Sequence, residues 1–290
     1  MAQREISGMS RRAFLAASGG LVMAAAALPE IAFAHEEPKL GKGLMPLVLS
    51  SDLFASPEPQ RFVFGLGSKR GYVSGPPVHV GFAPPEAKEV TLDLAPTRFY
   101  KAGLPEGRGV YVAEPVLDAP GVWTGVALVK QRRVTFAIQV NEAPVAPQPG
   151  APASRAASPT TTDTLGVKPI CTRRPPCPLH EVSLADVIGD GTPVAVLFAT
   201  PARCQSQYCG PVLDTLLSVR DRYPDIRFVH VEIYQNNKTT NLAPTVEAWG
   251  IETEPWLYTV DPAGTLVGAI DGAFGKGEIV QQLDDLAATS

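Results

Sequence analysis

The chain has 290 residues and a formal net charge of −4, and 45% of its residues are apolar. This length is enough for two domains, and the absence of a basic cluster excludes nucleic acid as an expected partner. Four cysteines, an even number, allow three different disulfide pairings.

The first 34 residues are predicted to be an export signal rather than part of the fold. The segment Ser10-Arg-Arg-Ala-Phe-Leu15 resembles the twin-arginine signal, an apolar run extends from Ala13 to Leu28, and Ala32-Phe-Ala34 is typical of a cleavage site. A membrane anchor is the alternative, but the run has only about 16 residues whereas a span needs about 20. Export would place the protein in the periplasm, in the cell envelope or outside the cell, where disulfides persist.

Residues 35–55 are predicted to be an N-terminal extension, and residues 56–142 an all-β domain. Short segments bounded by turn residues alternate polar with apolar positions, the pattern of a sheet with one buried face. The predicted strands are 61–66, 77–82, 89–94, 97–101, 109–113, 122–129 and 133–140. Short strands at this spacing favour an immunoglobulin-like β-sandwich. The only histidine of this domain, His79, is expected to be structural.

Residues 143–166 are predicted to be a mobile linker between two domains. The segment is rich in Pro, Ala, Ser and Thr and shows no hydrophobic periodicity. Such a composition cannot bury a core of its own and favours a semi-extended chain. Cleavage by proteases is therefore expected between Val145 and Thr164.

Residues 167–290 are predicted to be an α/β domain, because strand-like and helix-like segments alternate along it. The predicted strands are 180–182, 192–200, 226–234, 255–260 and 265–270. The predicted helices are 184–188, 212–223, 242–249 and 276–288. Asp261-Pro-Ala-Gly264 is expected to form the hairpin turn between the last two strands.

A cysteine pair where a strand gives way to a helix is the strongest indication of chemistry in this sequence. Cys204 and Cys209 are separated by four residues. In a regular helix Cα atoms five positions apart lie about 8.7 Å from each other, whereas a disulfide tolerates only about 4.4–6.8 Å. Either Cys204 precedes the helix or the intervening segment is irregular. Pro211 fits both cases, in the first helical turn or at a kink.

Two interpretations of this pair remain open, a redox site and an ordinary structural disulfide. The thiolate is the reactive form of cysteine, and a helix N-terminus or a nearby cation stabilises it. Arg203 is expected to supply that cation and to lower the pKa of Cys204.

The order of predicted elements, the position of the cysteine pair and the segment Gly250-Ile-Glu-Thr-Glu-Pro255 resemble the thioredoxin fold over residues 178–288. The resemblance implies a cis peptide bond between Glu254 and Pro255, which packs against the cysteines and orders a bound peptide. The sequence also departs from the thioredoxin pattern. Arg203 stands where that family has Trp, the cysteines are two residues further apart, and the strand Val194–Phe198 lacks the family's buried acidic residue.

The other two cysteines, Cys171 and Cys177, flank a proline-rich loop whose ends can meet, so a second local disulfide is predicted. A copper site remains open as an alternative use of the cysteines, because exported thioredoxin-like copper carriers combine two thiolates with a distant histidine. The histidines that could serve as the third copper ligand beside Cys204 and Cys209 are His180 and His230. For His230, however, packing in the core is the favoured interpretation. No resident metal and no organic cofactor are predicted.

These observations favour an exported thiol–disulfide oxidoreductase that acts on cysteines of other exported proteins. Cys204 is expected to attack, Cys209 to resolve, and Pro255 and Glu254 to bind the substrate backbone. A membrane-bound redox partner could exchange electrons with the cysteine pair. The alternatives are a non-enzymatic binding module with structural disulfides and a copper-handling protein.

Overall fold

A computed structural model of the chain describes residues 43–87, 93–204 and 206–289. The predicted export signal, residues 1–34, lies outside these ranges, as does most of the strand predicted at 89–94. Apart from Ala87, all described residues belong to one compact unit.

The N-terminal half consists of two antiparallel sheets. In one sheet the strand order is β1-β2-β7-β6, with β3 paired to β2, and in the other it is β5-β4-β8-β9. The strands are β1 (Leu44–Val48), β2 (Phe62–Ser68), β3 (Gly71–Tyr72), β4 (Val78–Ala83), β5 (Ala95–Pro96), β6 (Arg98–Tyr100), β7 (Val110–Ala113), β8 (Gly121–Val129) and β9 (Arg132–Val140). The predicted extension therefore contains β1, which pairs with β2 along its whole length.

The two sheets share a core that follows from the period of two in their sequences. In β9 the buried residues alternate with exposed ones, and Phe136 and Ile138 point into the core. Phe62 of the first sheet stacks on Phe136 of the second with ring centroids 5.8 Å apart. The predicted all-β character of this half is confirmed, and its immunoglobulin-like topology stays a prediction.

The C-terminal half is built around a four-stranded mixed sheet with the order β11-β10-β12-β13. β10 and β11 are parallel, whereas β12 and β13 run antiparallel to their neighbours. The elements are α1 (Leu184–Val187), β10 (Val194–Phe198), α2 (Cys209–Val219), a 3₁₀ turn (Arg220–Arg222), β11 (Arg227–Val231), α3 (Pro244–Ala248), β12 (Trp256–Val260), β13 (Leu266–Asp271) and α4 (Lys276–Ala287). This β-α-β-α-β-β-α connectivity confirms the thioredoxin-like fold.

Two predicted elements of this half differ from the structure. Residues 180–182 form no strand, although the Leu179 carbonyl accepts a hydrogen bond of 3.0 Å from the His230 amide of β11. The predicted helix at 242–249 is shorter, because Ala243 is still extended and the helix begins at Pro244. The predicted hairpin turn is present, with the Gly264 amide bonded to the Asp261 carbonyl.

The segment 143–166 contains no helix or strand, but it is held against the C-terminal half. The Gly150 amide donates to the Leu266 carbonyl of β13, and the Leu266 amide donates to the Ala151 carbonyl. Ala146 and Ala153 are buried in the core beside that sheet. The segment differs from the expected mobile linker because its extended backbone pairs with a free sheet edge.

The two halves also share buried surface. Val63 and Val112 of the first sheet belong to the same apolar cluster as Leu213 of α2 and Leu283 of α4. At the edge of this cluster the Arg61 guanidinium bonds the Glu278 carboxylate at 2.8 Å. The β-sheet half therefore packs against two helices of the C-terminal half, α2, which begins at Cys209, and α4. No helix in the described ranges is long and apolar enough to cross a bilayer.

Candidate active site

Cys204 lies in the loop between β10 and α2, and Cys209 is the first residue of the helix. This placement decides between the two arrangements that the spacing allowed, because the helix does not include Cys204. Pro211 falls in the first helical turn, where its missing amide hydrogen costs nothing. Gln207 has a φ of 64°, which turns the loop sharply into the helix.

The two sulfurs differ in exposure and in hydrogen bonding. Cys204 is partly exposed, Cys209 is fully buried, and both are free thiols in the structure. The backbone amide of Cys209 donates to the Cys204 Sγ at 3.2 Å, and the Ser206 hydroxyl lies 3.1 Å from the same sulfur. Cys204 thus faces the amide end of α2, where a negative charge is stabilised.

This arrangement separates the pKa values of the two thiols. The Cys209 thiol, the Ser206 hydroxyl and the backbone amides of Cys209 and Tyr208 lower the pKa of Cys204 to about 6, although burial opposes them. Burial and the neighbouring Cys204 sulfur raise the pKa of Cys209 well above its ordinary value. At neutral pH the partly exposed sulfur is therefore the thiolate, and the buried one keeps its proton.

Arg203, the predicted source of this effect, points elsewhere. Its guanidinium donates to the backbone carbonyls of Asn236 and Thr239 at 2.7 and 2.6 Å and covers the ring of Tyr234 at 4.5 Å. The groups that lower the pKa of Cys204 most are hydrogen-bond donors of its own loop and helix, and the Cys209 thiol is the largest of them. A tuning role for Arg203 stays a prediction.

Glu254 brings a carboxylate to the cysteine pair. One of its oxygens and the sulfurs of Cys204 and Cys209 all lie within 4.8 Å of one another. Burial, and then the charge of Cys204, raise the pKa of Glu254 to about 7, while Arg203 opposes the rise. The peptide bond to Pro255 is cis, as the resemblance to thioredoxin implied. A carboxylate is thus present near the two sulfurs just before β12, although β10 itself contains no acidic residue.

Residues of the β-sheet half reach the rim of the cysteine loop, which the sequence did not predict. The Arg108 guanidinium donates to the Gln207 side-chain oxygen at 2.6 Å and lies 4.3 Å from the ring centroid of Tyr72. Arg108 belongs to the segment Pro105-Glu-Gly-Arg-Gly109, which precedes β7 and lies 99 residues before Gln207 in the chain. The first half therefore helps to position the loop that precedes α2.

The two histidines proposed for copper lie beside the other cysteine pair. His180 Nε2 is 3.2 Å from the Cys177 Sγ, and His230 Nδ1 is 3.4 Å from it and 3.8 Å from the Cys171 Sγ. Cys171 and Cys177 are free thiols in the structure. The predicted combination of Cys204 and Cys209 with these histidines is therefore wrong, because among the described residues those cysteines group with Glu254.

No protein-family profile and no curated protein matches the chain. Twelve solved chains are similar to it in structure. One is described as a thiol:disulfide interchange protein DsbE from Chlorobium tepidum, with 17% identity, a TM-score of 0.35, and coverage of 49% of this chain and 99% of that one. Another is the exposed lipoprotein thioredoxin of Streptococcus pneumoniae strain TIGR4, with 17% identity, a TM-score of 0.29, and coverage of 36% and 91%.

Proposed function

We propose that this chain is an exported thiol–disulfide oxidoreductase in which Cys204 attacks and Cys209 resolves. The observation that carries the proposal is the contrast between the two sulfurs. Cys204 is partly exposed at the amide end of α2 and has a pKa of about 6, whereas Cys209 is buried with a raised pKa. A static disulfide needs no such difference, but exchange needs one accessible thiolate and one protected thiol.

In the reducing direction the Cys204 thiolate attacks one sulfur of a substrate disulfide. The substrate S–S bond breaks, its other sulfur leaves as a thiolate that takes a proton from water, and a mixed disulfide forms. Cys209 then loses its proton and attacks the Cys204 sulfur, which releases the second substrate sulfur as a thiolate. Two electrons pass to the substrate, and Cys204 and Cys209 end as a disulfide. The oxidising direction is the reverse.

Glu254 is the proposed acceptor of the Cys209 proton. Its carboxylate lies within 4.8 Å of both sulfurs, and a pKa of about 7 suits a group that must take up and release a proton near neutral pH. The adjoining peptide bond between Glu254 and Pro255 is cis, and Pro255 would order the backbone of a bound protein. The expected substrates are thiols or disulfides of other exported proteins, with electrons exchanged through a membrane-bound partner.

The two-domain organisation belongs to this proposal. The immunoglobulin-like sandwich would position the cysteine loop through Arg108 and would present the substrate-facing rim. Removal of residues 1–34 after export would yield the working protein.

The test uses variants of the chain that lack residues 1–34 and asks whether they capture exported proteins as mixed disulfides. Cys209→Ser should accumulate adducts with exported proteins, and Cys204→Ser should not, because only the attacking thiol forms the mixed disulfide. The reduction potential of the wild-type pair should lie above about −300 mV. Absence of adducts in both variants, together with a lower potential, would instead support a binding module with a structural disulfide.

A further inference from the structure

We propose that Cys171, Cys177, His180 and His230 form a closed, four-coordinate zinc site separate from the redox pair. Two sulfurs and two ring nitrogens converge within 4.8 Å of one another. This is the Cys₂His₂ ligand set of structural zinc sites. The proposal does not depend on the function proposed for Cys204 and Cys209.

The distances between the ligand atoms match a tetrahedron around one ion. Zinc–nitrogen bonds of about 2.0–2.1 Å and zinc–sulfur bonds of about 2.3 Å require nitrogens about 3.3 Å apart and nitrogen–sulfur pairs about 3.6 Å apart. His180 Nε2 and His230 Nδ1 are 3.2 Å apart. The measured nitrogen–sulfur distances are 3.2, 3.4 and 3.8 Å. An ion could therefore be held with small adjustments of the side chains.

The ligand atoms are oriented by their surroundings. His230 Nε2 lies 3.0 Å from the Ala199 carbonyl and donates to it, which leaves the lone pair of Nδ1 facing the sulfurs. The backbone amide of Cys177 donates to the Cys171 Sγ at 3.3 Å, a bond that favours a thiolate. The His180 Nδ1 has no hydrogen-bond partner among the described residues, and the other ring nitrogen, Nε2, is the one that faces the Cys177 Sγ.

The loop that supplies both cysteines is held from outside the cluster. The Thr172 amide donates to the buried carboxylate of Glu232, and the Arg173 guanidinium bonds the Asp214 carboxylate of α2 at 2.6 Å. The Leu179 carbonyl accepts from the His230 amide and fixes the chain beside β11. The four ligands thus come from a tethered loop segment and from β11, an edge strand of the sheet, and both are held in place without the ion.

Burial and charge favour zinc over copper. The exposed fractions of the four side chains are 5% for Cys171, 6% for Cys177, 3% for His180 and 0% for His230. Zn²⁺ with two thiolates and two neutral imidazoles carries no net charge, whereas Cu⁺ would leave one negative charge in a buried environment, which is costly. A fully enclosed set of four protein ligands is also typical of a structural ion rather than a catalytic one.

The experiment uses the chain without residues 1–34 and with Cys204→Ser and Cys209→Ser, so that only one cysteine pair remains. The reduced protein is incubated with zinc chloride, passed through a desalting column, and its metal content is measured. We expect one zinc per chain, and X-ray absorption should show two sulfurs at about 2.3 Å and two nitrogens at about 2.0 Å. Adding His180→Ala or His230→Ala should reduce the zinc content to a small fraction.

Three results would overturn the proposal. One is a zinc content far below one per chain in the reduced, folded protein with all four ligands. Another is an absorption spectrum without sulfur ligands, and the third is zinc retention in both histidine variants. If the histidine variants do not fold, the absorption spectrum of the protein with intact ligands still decides.

Discussion

The two cysteine pairs of this protein lie in the C-terminal half of the chain but in opposite environments. Cys204 is partly exposed, accepts a hydrogen bond from the backbone at the amide end of α2, and lies near the Glu254 carboxylate. Cys171 and Cys177 are buried and face two ring nitrogens. The first environment leaves a thiolate open to attack a disulfide, whereas the second surrounds both sulfurs with further metal ligands.

The comparison shows that the neighbours of a cysteine, more than its spacing from the next one, determine its chemistry. The two pairs have similar separations in sequence, four and five intervening residues. A carboxylate near a thiol can accept a proton, and an imidazole lone pair beside a thiolate can bind an ion. Three changes would break or sharpen this contrast.

The largest effect is expected on stability, from removing one ligand of the proposed zinc site formed by Cys171, Cys177, His180 and His230. His230→Ala should lower the free energy of unfolding by about 3 kcal/mol or more, because it creates a cavity and removes zinc. A chelator should lower the melting temperature of the wild-type protein and leave that of the variant unchanged. The matched control is His79→Ala, which replaces an exposed histidine on β4 and should change stability by less than about 0.5 kcal/mol. The distinction between the two cysteine pairs would be lost if two results were found together. His230→Ala and His79→Ala would lower the free energy of unfolding equally, and the chelator would lower the melting temperatures of wild type and His230→Ala equally.

Local features of the fold could be predicted from the sequence, whereas contacts between distant residues could not. The alternation in β9 and the strand before the cysteine loop depend on residues close together in the chain, whereas the cis peptide bond at Pro255 was implied by the resemblance to thioredoxin. The grouping of Cys177 with His230 could not be predicted, because the residues are 53 positions apart and meet only through the position of β11. The packing of 143–166 was missed for a similar reason, since its partner is the edge of β13.

A smaller effect is expected at the redox pair from Glu254→Gln. Losing a positioned proton acceptor should slow the resolving step about 100-fold. The pKa of Glu254 is raised to about 7, so the carboxylate that accepts the proton is present above pH 7 and is lost as the pH falls below it. The rate of the wild-type step should therefore rise with pH through about 7, and the variant should lack this rise. Stopped-flow measurement of mixed-disulfide decay checks both points. Retention of the pH step in the variant would assign it to another group.

The smallest expected effect concerns the pKa of Cys204 itself. The Cys209 thiol is the largest of the groups that lower this pKa to about 6. Cys209→Ala removes that donor and should raise the pKa by about 1 unit, equivalent to about 1.4 kcal/mol. Cys209→Ser keeps a hydroxyl at the same place and should shift it less. The measurement is the pH dependence of alkylation by iodoacetamide, with half-maximal rate near pH 6 in the wild-type protein.

Ser206→Ala is the second comparison in this experiment, because the Ser206 hydroxyl is a lesser influence on the same sulfur. The pKa of Cys204 is therefore expected to be highest in Cys209→Ala, intermediate in Ser206→Ala and lowest in the wild-type protein. If neither Cys209→Ala nor Ser206→Ala raises the pKa of Cys204, these side-chain hydrogen bonds are not the cause of its low pKa. The two backbone amides, which both variants retain, would then account for the low pKa, and the reactivity of Cys204 would arise from the helix terminus alone.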